Sequence, residues 1–169
     1  MPFIPDSMKP FFLALSTFCV LSAGVQAQAP QLGCISPNTR LLADEVKQHF
    51  ISQGYAVVRD AMVGMSSHQP FRAVVQLEAN QNYRIVFVAD RNAKFMDVEV
   101  IDNTEKEVAH EKRRLKRDQS PVIEFPFRQS SSAAYLFSLY QQMRPNDACG
   151  SFTILRDTVK ARKMQVKPY

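Results

Sequence analysis

Residues 71–101 read FRAVVQLEANQNYRIVFVADRNAKFMDVEVI. Three runs within them, 71–78 (FRAVVQLE), 83–89 (YRIVFVA) and 95–101 (FMDVEVI), are rich in β-branched and aromatic residues, the types that suit a pleated, half-buried surface. The third alternates cleanly, with Met96, Val98 and Val100 on one side and Asp97 and Glu99 on the other. Turn-forming residues separate the runs: Ala79-Asn80-Gln81-Asn82 after the first and Asp90-Arg91-Asn92 after the second. Working outward, residues 55–65, 122–127 (bounded by Pro121 and Pro126), 134–140 and 151–155 repeat the pattern. Short strands at roughly 8–15-residue spacing predict an antiparallel sandwich or barrel. The helical spacing that a βαβ chain needs between its strands is missing.

One helix is predicted ahead of the strands. Ser36 is placed to cap it, Pro37 sits in its first turn and Gly54 closes it. Leu42, Val46, Phe50 and Gln53, flanked by Leu41 and His49, follow the spacing of one helical face. The expected organisation is residues 1–27 as a signal peptide, 28–54 as an N-terminal segment with the helix, 55–156 as a β-sandwich domain and 157–169 as a basic tail.

Residues 71–85, then Met96-Asp97-Val98-Glu99-Val100-Ile101-Asp102, then Gly150-Ser151-Phe152-Thr153-Ile154 together resemble the pre-peptidase C-terminal domain. The resemblance spans residues 71–155. It implies a jelly-roll β-sandwich of the kind carried by exported bacterial proteins, and it supplies no catalytic residues. Asn80 stands where that family usually places a turn glycine. The fold expected is therefore mainly β, an antiparallel jelly-roll-like sandwich preceded by one N-terminal α-helix.

The N-terminus has the three-part layout of an export signal. Lys9 is basic, residues 11–21 (FFLALSTFCVL) are apolar, and small residues lead to a cleavage site expected after Ala27, with Met8 an alternative start. The apolar run is far shorter than the roughly 20 residues that span a bilayer, so no transmembrane anchor is expected in the mature chain. A lipoprotein signal requires an aliphatic residue three places before its cysteine, and in Gln31-Leu32-Gly33-Cys34 that place is taken by Gln31. A secreted or periplasmic protein is expected. Of the three cysteines, Cys19 leaves with the signal, and Cys34 and Cys149 remain. A pair in an oxidising compartment reads as a disulfide.

Of the 169 residues, 46% are apolar and 22% charged, with a net charge of +5. This excludes a disordered chain and gives a mild preference for acidic partners. Residues 106–117 (KEVAHEKRRLKR) concentrate the basic charge. Read as a hairpin, they make Lys112, Arg113, Arg114, Lys116 and Arg117 candidates for binding an anionic ligand, because guanidinium forks match phosphate and carboxylate. The competing reading is an edge strand whose charges block sheet-to-sheet pairing. Lys160, Arg162, Lys163 and Lys167 in the tail would either extend the patch or belong to a disordered end.

Catalytic patterns are sparse. Ser66 and Ser67 adjoin His68, but without the G-x-S-x-G arrangement. His49, His68 and His110 lack metal-ligand spacing. Asp97 and Glu99 share a strand face that suits either Ca²⁺ or solvent. The expectation is a non-catalytic binding or accessory module of the cell envelope or the extracellular space, with no cofactor and no metal. Acidic glycan, lipopolysaccharide or an envelope protein are the candidate partners, and nucleic acid is disfavoured. The alternatives are a small secreted hydrolase built on Ser66 or Ser67 with His68 or His110, and a purely structural envelope protein.

Overall fold

The computed structural model describes residues 34–144 and 147–159. Residues 1–27, expected to be a signal peptide, and residues 160–169 of the expected basic tail 157–169 lie outside them. One helix, α1 (Pro37–Ser52), precedes eight strands: β1 (Tyr55–Ser66), β2 (Phe71–Leu77), β3 (Tyr83–Val88), β4 (Phe95–Ile101), β5 (Glu107–Arg114), β6 (Val122–Phe127), β7 (Ala133–Gln142) and β8 (Asp147–Asp157).

The strands form two four-stranded antiparallel sheets, ordered β1-β8-β3-β6 and β2-β7-β4-β5. Only the β4–β5 connection stays within a sheet; every other one crosses from sheet to sheet. This is the winding of a jelly roll, in which two sheets share one core. The alternation read in residues 95–101 explains the inner layer. Met96, Val98 and Val100 are fully buried beside Phe137, Leu139, Phe152 and Ile154, while Asp97 and Glu99 lie on the outer face. Phe127, Tyr135, Phe137 and Phe152 meet edge-on or tilted at centroid distances of 5.2–6.4 Å, geometries that aromatic quadrupoles favour.

The first sheet is covered on both faces. Its outer face packs against α1, joining Val86, Val88, Val122 and Leu155 to Ala43 and Phe50. The buried stripe of the helix runs Thr39, Ala43 and Phe50, with Leu42 and Val46 partly buried. It departs from the predicted face at both flanks: Leu41 is 69% exposed, and Gln53 caps the helix, its amide against the His49 ring. Thr39 can be buried because its hydroxyl bonds to Ser36 Oγ (2.9 Å), the N-cap. Lys47 fastens the helix to β1, bonding Asp60 (2.6 Å) and Asp44 (2.8 Å). Asp60 in turn accepts a hydrogen bond from Thr153 of β8 (2.8 Å). A disulfide joins Cys34, just before α1, to Cys149 in β8.

Two local features follow from backbone geometry. Asn80 takes the left-handed conformation (φ 57°), which asparagine tolerates better than most residues. The β4–β5 turn is built on Asp102, whose Oδ1 accepts from Thr104 Oγ1 (2.6 Å), Thr104 N (2.8 Å) and Lys106 N (3.1 Å).

Candidate functional site: a basic cleft at one end of the sandwich

Residues 106–117 do not form a hairpin of their own. Residues 107–114 are β5, the edge strand of the second sheet, paired to β4 alone. Strand alternation divides the basic residues read as a cluster. Lys112 and Arg114 stand opposite Asp97 and Phe95 on the outer face. Arg113 turns the other way, and its Nη1 donates to the carbonyl of Val122 (2.7 Å) at the start of β6. Arg113 therefore ties the two sheets together at this edge, and its donor is committed to the fold.

Arg114, Lys116 and Arg117 do come together, in company that the sequence does not reveal. Beyond β5, the loop 115–121 runs beside the loop 89–94 that joins β3 to β4. Between them lies a cleft of about 850 Å³. Arg91 and Lys94 enter it from one side and Arg114, Lys116 and Arg117 from the other, with Asp118 the one carboxylate in its lining among the described residues. Lys112 is not among the lining residues. The five basic side chains are exposed. Among the described residues, none of them makes a side-chain hydrogen bond or ion pair, and neither does Asp118.

Backbone bonding sets the shape of the cleft. Lys94 N donates to Gln142 O (2.7 Å) and Leu115 N donates to Lys94 O (2.9 Å), which holds the ends of β7, β4 and β5 in line. Asp90 N donates to Oε1 of Gln141 (2.8 Å), a fully buried glutamine in β7. The Asp90 carboxylate accepts from Asn92 N (2.9 Å) and the Asp90 carbonyl from Ala93 N (2.9 Å), closing a tight turn. Across the cleft, Lys116 N donates to Gln119 Oε1 and Gln119 N to Lys116 O, both at 3.1 Å. Ala93 and Leu115 pack against the core and anchor one loop each. Phe95 adds an apolar wall, half-buried, with its ring 6.2 Å from that of Tyr140. A second hollow of about 580 Å³ adjoins the first, shares Arg91, Arg117, Asp118 and Gln119 with it, and reaches Leu41 and Leu42 of α1.

The other sequence candidates have partners of a different kind. Ser67 is buried, and its Oγ donates to Met143 O (3.2 Å) while accepting from Met143 N (3.1 Å). Ser66 Oγ accepts from the backbone of His68 (3.3 Å). His110 lies on β5 with Nε2 2.8 Å from Asp97 Oδ1 and Nδ1 3.4 Å from Glu107 Oε2. Asp97 is thus engaged across the strand pair. Among the described residues, no group of three or more His, Cys, Asp or Glu is placed to hold a metal ion, and no helix is long and apolar enough to cross a membrane.

No protein-family model and no curated protein matches the chain. Among solved structures, it is similar to the pre-peptidase C-terminal domain of a collagenase from Bacillus anthracis, at 11% identity and a TM-score of 0.43, over 56% of this chain and 88% of that one. The family that residues 71–155 resemble is therefore among the similar structures. The chain is also similar to a periplasmic inhibitor of g-type lysozyme from Aeromonas hydrophila (12% identity, TM-score 0.42, 61% of this chain and 86% of that one). A xylan-binding domain from Paenibacillus barcinonensis matches at 9% identity and a TM-score of 0.33, over 63% of this chain and 87% of that one.

Proposed function

We propose that the protein is an exported, non-catalytic binding module of the cell envelope or the extracellular space, and that the basic cleft holds an anionic ligand. One observation carries the reading: five cationic side chains converge on a hollow and, among the described residues, make no side-chain hydrogen bond or ion pair, whereas Lys47, Arg113 and Arg156 are engaged in the fold. Unpaired like charges in a concavity repel one another, and an anion relieves that repulsion. The loops are fixed by backbone bonds before any ligand arrives, which lowers the ordering cost of binding. Export is supported by the layout around Lys9 and the apolar run that follows, and by the Cys34–Cys149 bridge, a bond that persists in oxidising compartments. Against the hydrolase alternative stands the engagement of the Ser67 hydroxyl by both backbone groups of Met143.

The test is retention on a heparin-type matrix. Arg114→Gln/Lys116→Gln should elute at a clearly lower salt concentration than wild type. Lys106→Gln/Arg128→Gln removes the same charge from the opposite end of the sandwich and should elute close to wild type. Equal elution of the two variants would reduce the cleft to general surface charge and favour the purely structural reading.

A further inference from the structure

Resting on the anion-binding reading above, we infer that the ligand is an extended acidic glycan lying across both hollows, and not a single small anion. The first observation is size. The cleft of about 850 Å³ and the adjoining hollow of about 580 Å³ share Arg91, Arg117, Asp118 and Gln119 as a common boundary. Each alone is in the range of about 300–1,000 Å³ typical of a whole small-ligand site, so a lone phosphate or sulfate would leave most of the space and most of the cations unused.

The second observation is the mixture of chemistries. Asp118 places an acceptor-only carboxylate among five cations. A ligand offering nothing but anionic oxygens meets repulsion there, whereas one that also carries hydroxyl donors gains a charge-assisted hydrogen bond. Asn92, whose Nδ2 donates to Asp90 Oδ1 (3.2 Å), and Gln142 line the same cleft and add uncharged polar groups of the kind that suit hydroxyls. Apolar surface is present but small: Phe95 in the first hollow, Leu41 and Leu42 in the second. Those patches fit the C–H faces of sugar rings. Charge, hydroxyl groups and small apolar faces recur together along a chain of uronate or sulfated sugars. A phosphodiester chain of the same charge brings fewer hydroxyl donors to Asp118.

The third observation is the division of charge. Lys94, Arg114 and Lys116 line the first hollow alone, Arg91 and Arg117 stand at the boundary, and among the described residues the second hollow contributes no further basic residue. A chain that fills both hollows engages the cations at one end and the apolar wall of α1 at the other. Its affinity then grows with length, because each added sugar binds as part of a molecule already held.

The experiment uses the full mature protein and galacturonate oligomers of defined length, with binding measured by titration calorimetry at fixed salt. Affinity should rise by on the order of tenfold or more from the monomer to an oligomer that spans both hollows, and then level off. Leu41→Asp places a negative charge on an exposed residue of the second hollow. It should weaken the long oligomers several-fold and leave the shortest that binds measurably unchanged. Affinity that does not depend on length, or an equal effect of Leu41→Asp on short and long oligomers, would overturn the extended-glycan inference while leaving an anion site in place. Tighter binding of single-stranded DNA than of an oligogalacturonate of the same charge would overturn it in favour of a phosphate polymer. If none of these polyanions, heparin included, binds at all, the anion-binding reading itself fails.

Discussion

Gly150 shows how much one missing atom can matter. It lies in β8 beside the disulfide-bonded Cys149, and a Cβ there would come within 2.9 Å of Phe87 Cε2 and 3.0 Å of Met65 Sδ. Phe87 is fully buried and Met65 nearly so, so neither can move aside without disturbing the packed layer. Gly150→Ala should destabilise the fold by about 1–3 kcal/mol, the usual cost of overpacking, read as a lowered urea midpoint with an unchanged slope. An unchanged midpoint would mean that the Met65 thioether gives way freely. Gln141 is the polar counterpart. Its Oε1 is the acceptor for Asp90 N–H, from a side chain with no solvent exposure. In Gln141→Leu, Asp90 N–H loses that acceptor at a partly buried site, a loss worth about 1–3 kcal/mol. Amide exchange should accelerate at Asp90 and through the loop to Lys94 more than in β8, because that bond sets the wall of the cleft.

At the level of elements, strand alternation and turn chemistry made most of the sandwich legible in the sequence. Residues 95–101 and 122–127 coincide with β4 and β6, and the turn at Asn80 follows from its tolerance of positive φ. Where the reading fell short, long-range packing is the cause. β8 begins at Asp147, ahead of the predicted 151–155, since Asp147 and Gly150 are turn-favouring types that pairing with β1 draws into the sheet. The basic run was visible as composition. That Arg113 would leave it, and that Arg91 and Lys94 would join it, depends on strand phase and on the neighbouring loop, neither of which is local in sequence. The helix carries a pH signature that the fold makes explicit. The hydrogen bond from Lys47 holds the Asp44 carboxyl below its ordinary value of 3.8. Burial opposes the charge on Lys47, but hydrogen bonds to Asp44 and Asp60 and the attraction of both carboxylates outweigh it, lifting Lys47 above 10.5. The depressed carboxyl stabilises the fold above the ordinary carboxylate value and loses that effect as pH falls through its folded pKa. The raised ammonium stabilises below the ordinary lysine value and loses that effect as pH rises through its folded pKa. The Tm difference between wild type and Lys47→Met should therefore be flat across neutral pH and shrink at both the acid and the alkaline extreme. A difference that grows toward either extreme would mean that the ion pairs of Lys47 do not stabilise the fold.

Across the whole molecule, the Cys34–Cys149 bridge closes a sequence separation of 115 residues with Cα atoms 5.5 Å apart. Two cysteines so distant in sequence lie side by side because β8 sits between β1 and β3, in the sheet that α1 covers. The bridge therefore restrains the unfolded chain over nearly the whole domain and holds the start of α1 against the sheet it covers. Chain-entropy reasoning puts the effect of so long a loop near 4–5 kcal/mol, and native disulfides in secreted domains typically contribute about 2–5 kcal/mol. Cys34→Ser/Cys149→Ser, which leaves no stray thiol, should lose about that much stability in urea titrations. Wild type with its disulfide reduced should unfold at nearly the same midpoint as the double variant. The second hollow takes its Leu41 and Leu42 wall from α1, whereas the first is built from the β3–β4 and β5–β6 loops, with the adjoining ends of β4, β5 and β7. Loss of the bridge should accordingly raise amide exchange in the first turns of α1 well before it affects β4 or β7. If the double variant keeps the wild-type urea midpoint, or if exchange rises in the sheets as early as in α1, the bridge is not what holds the helix in place.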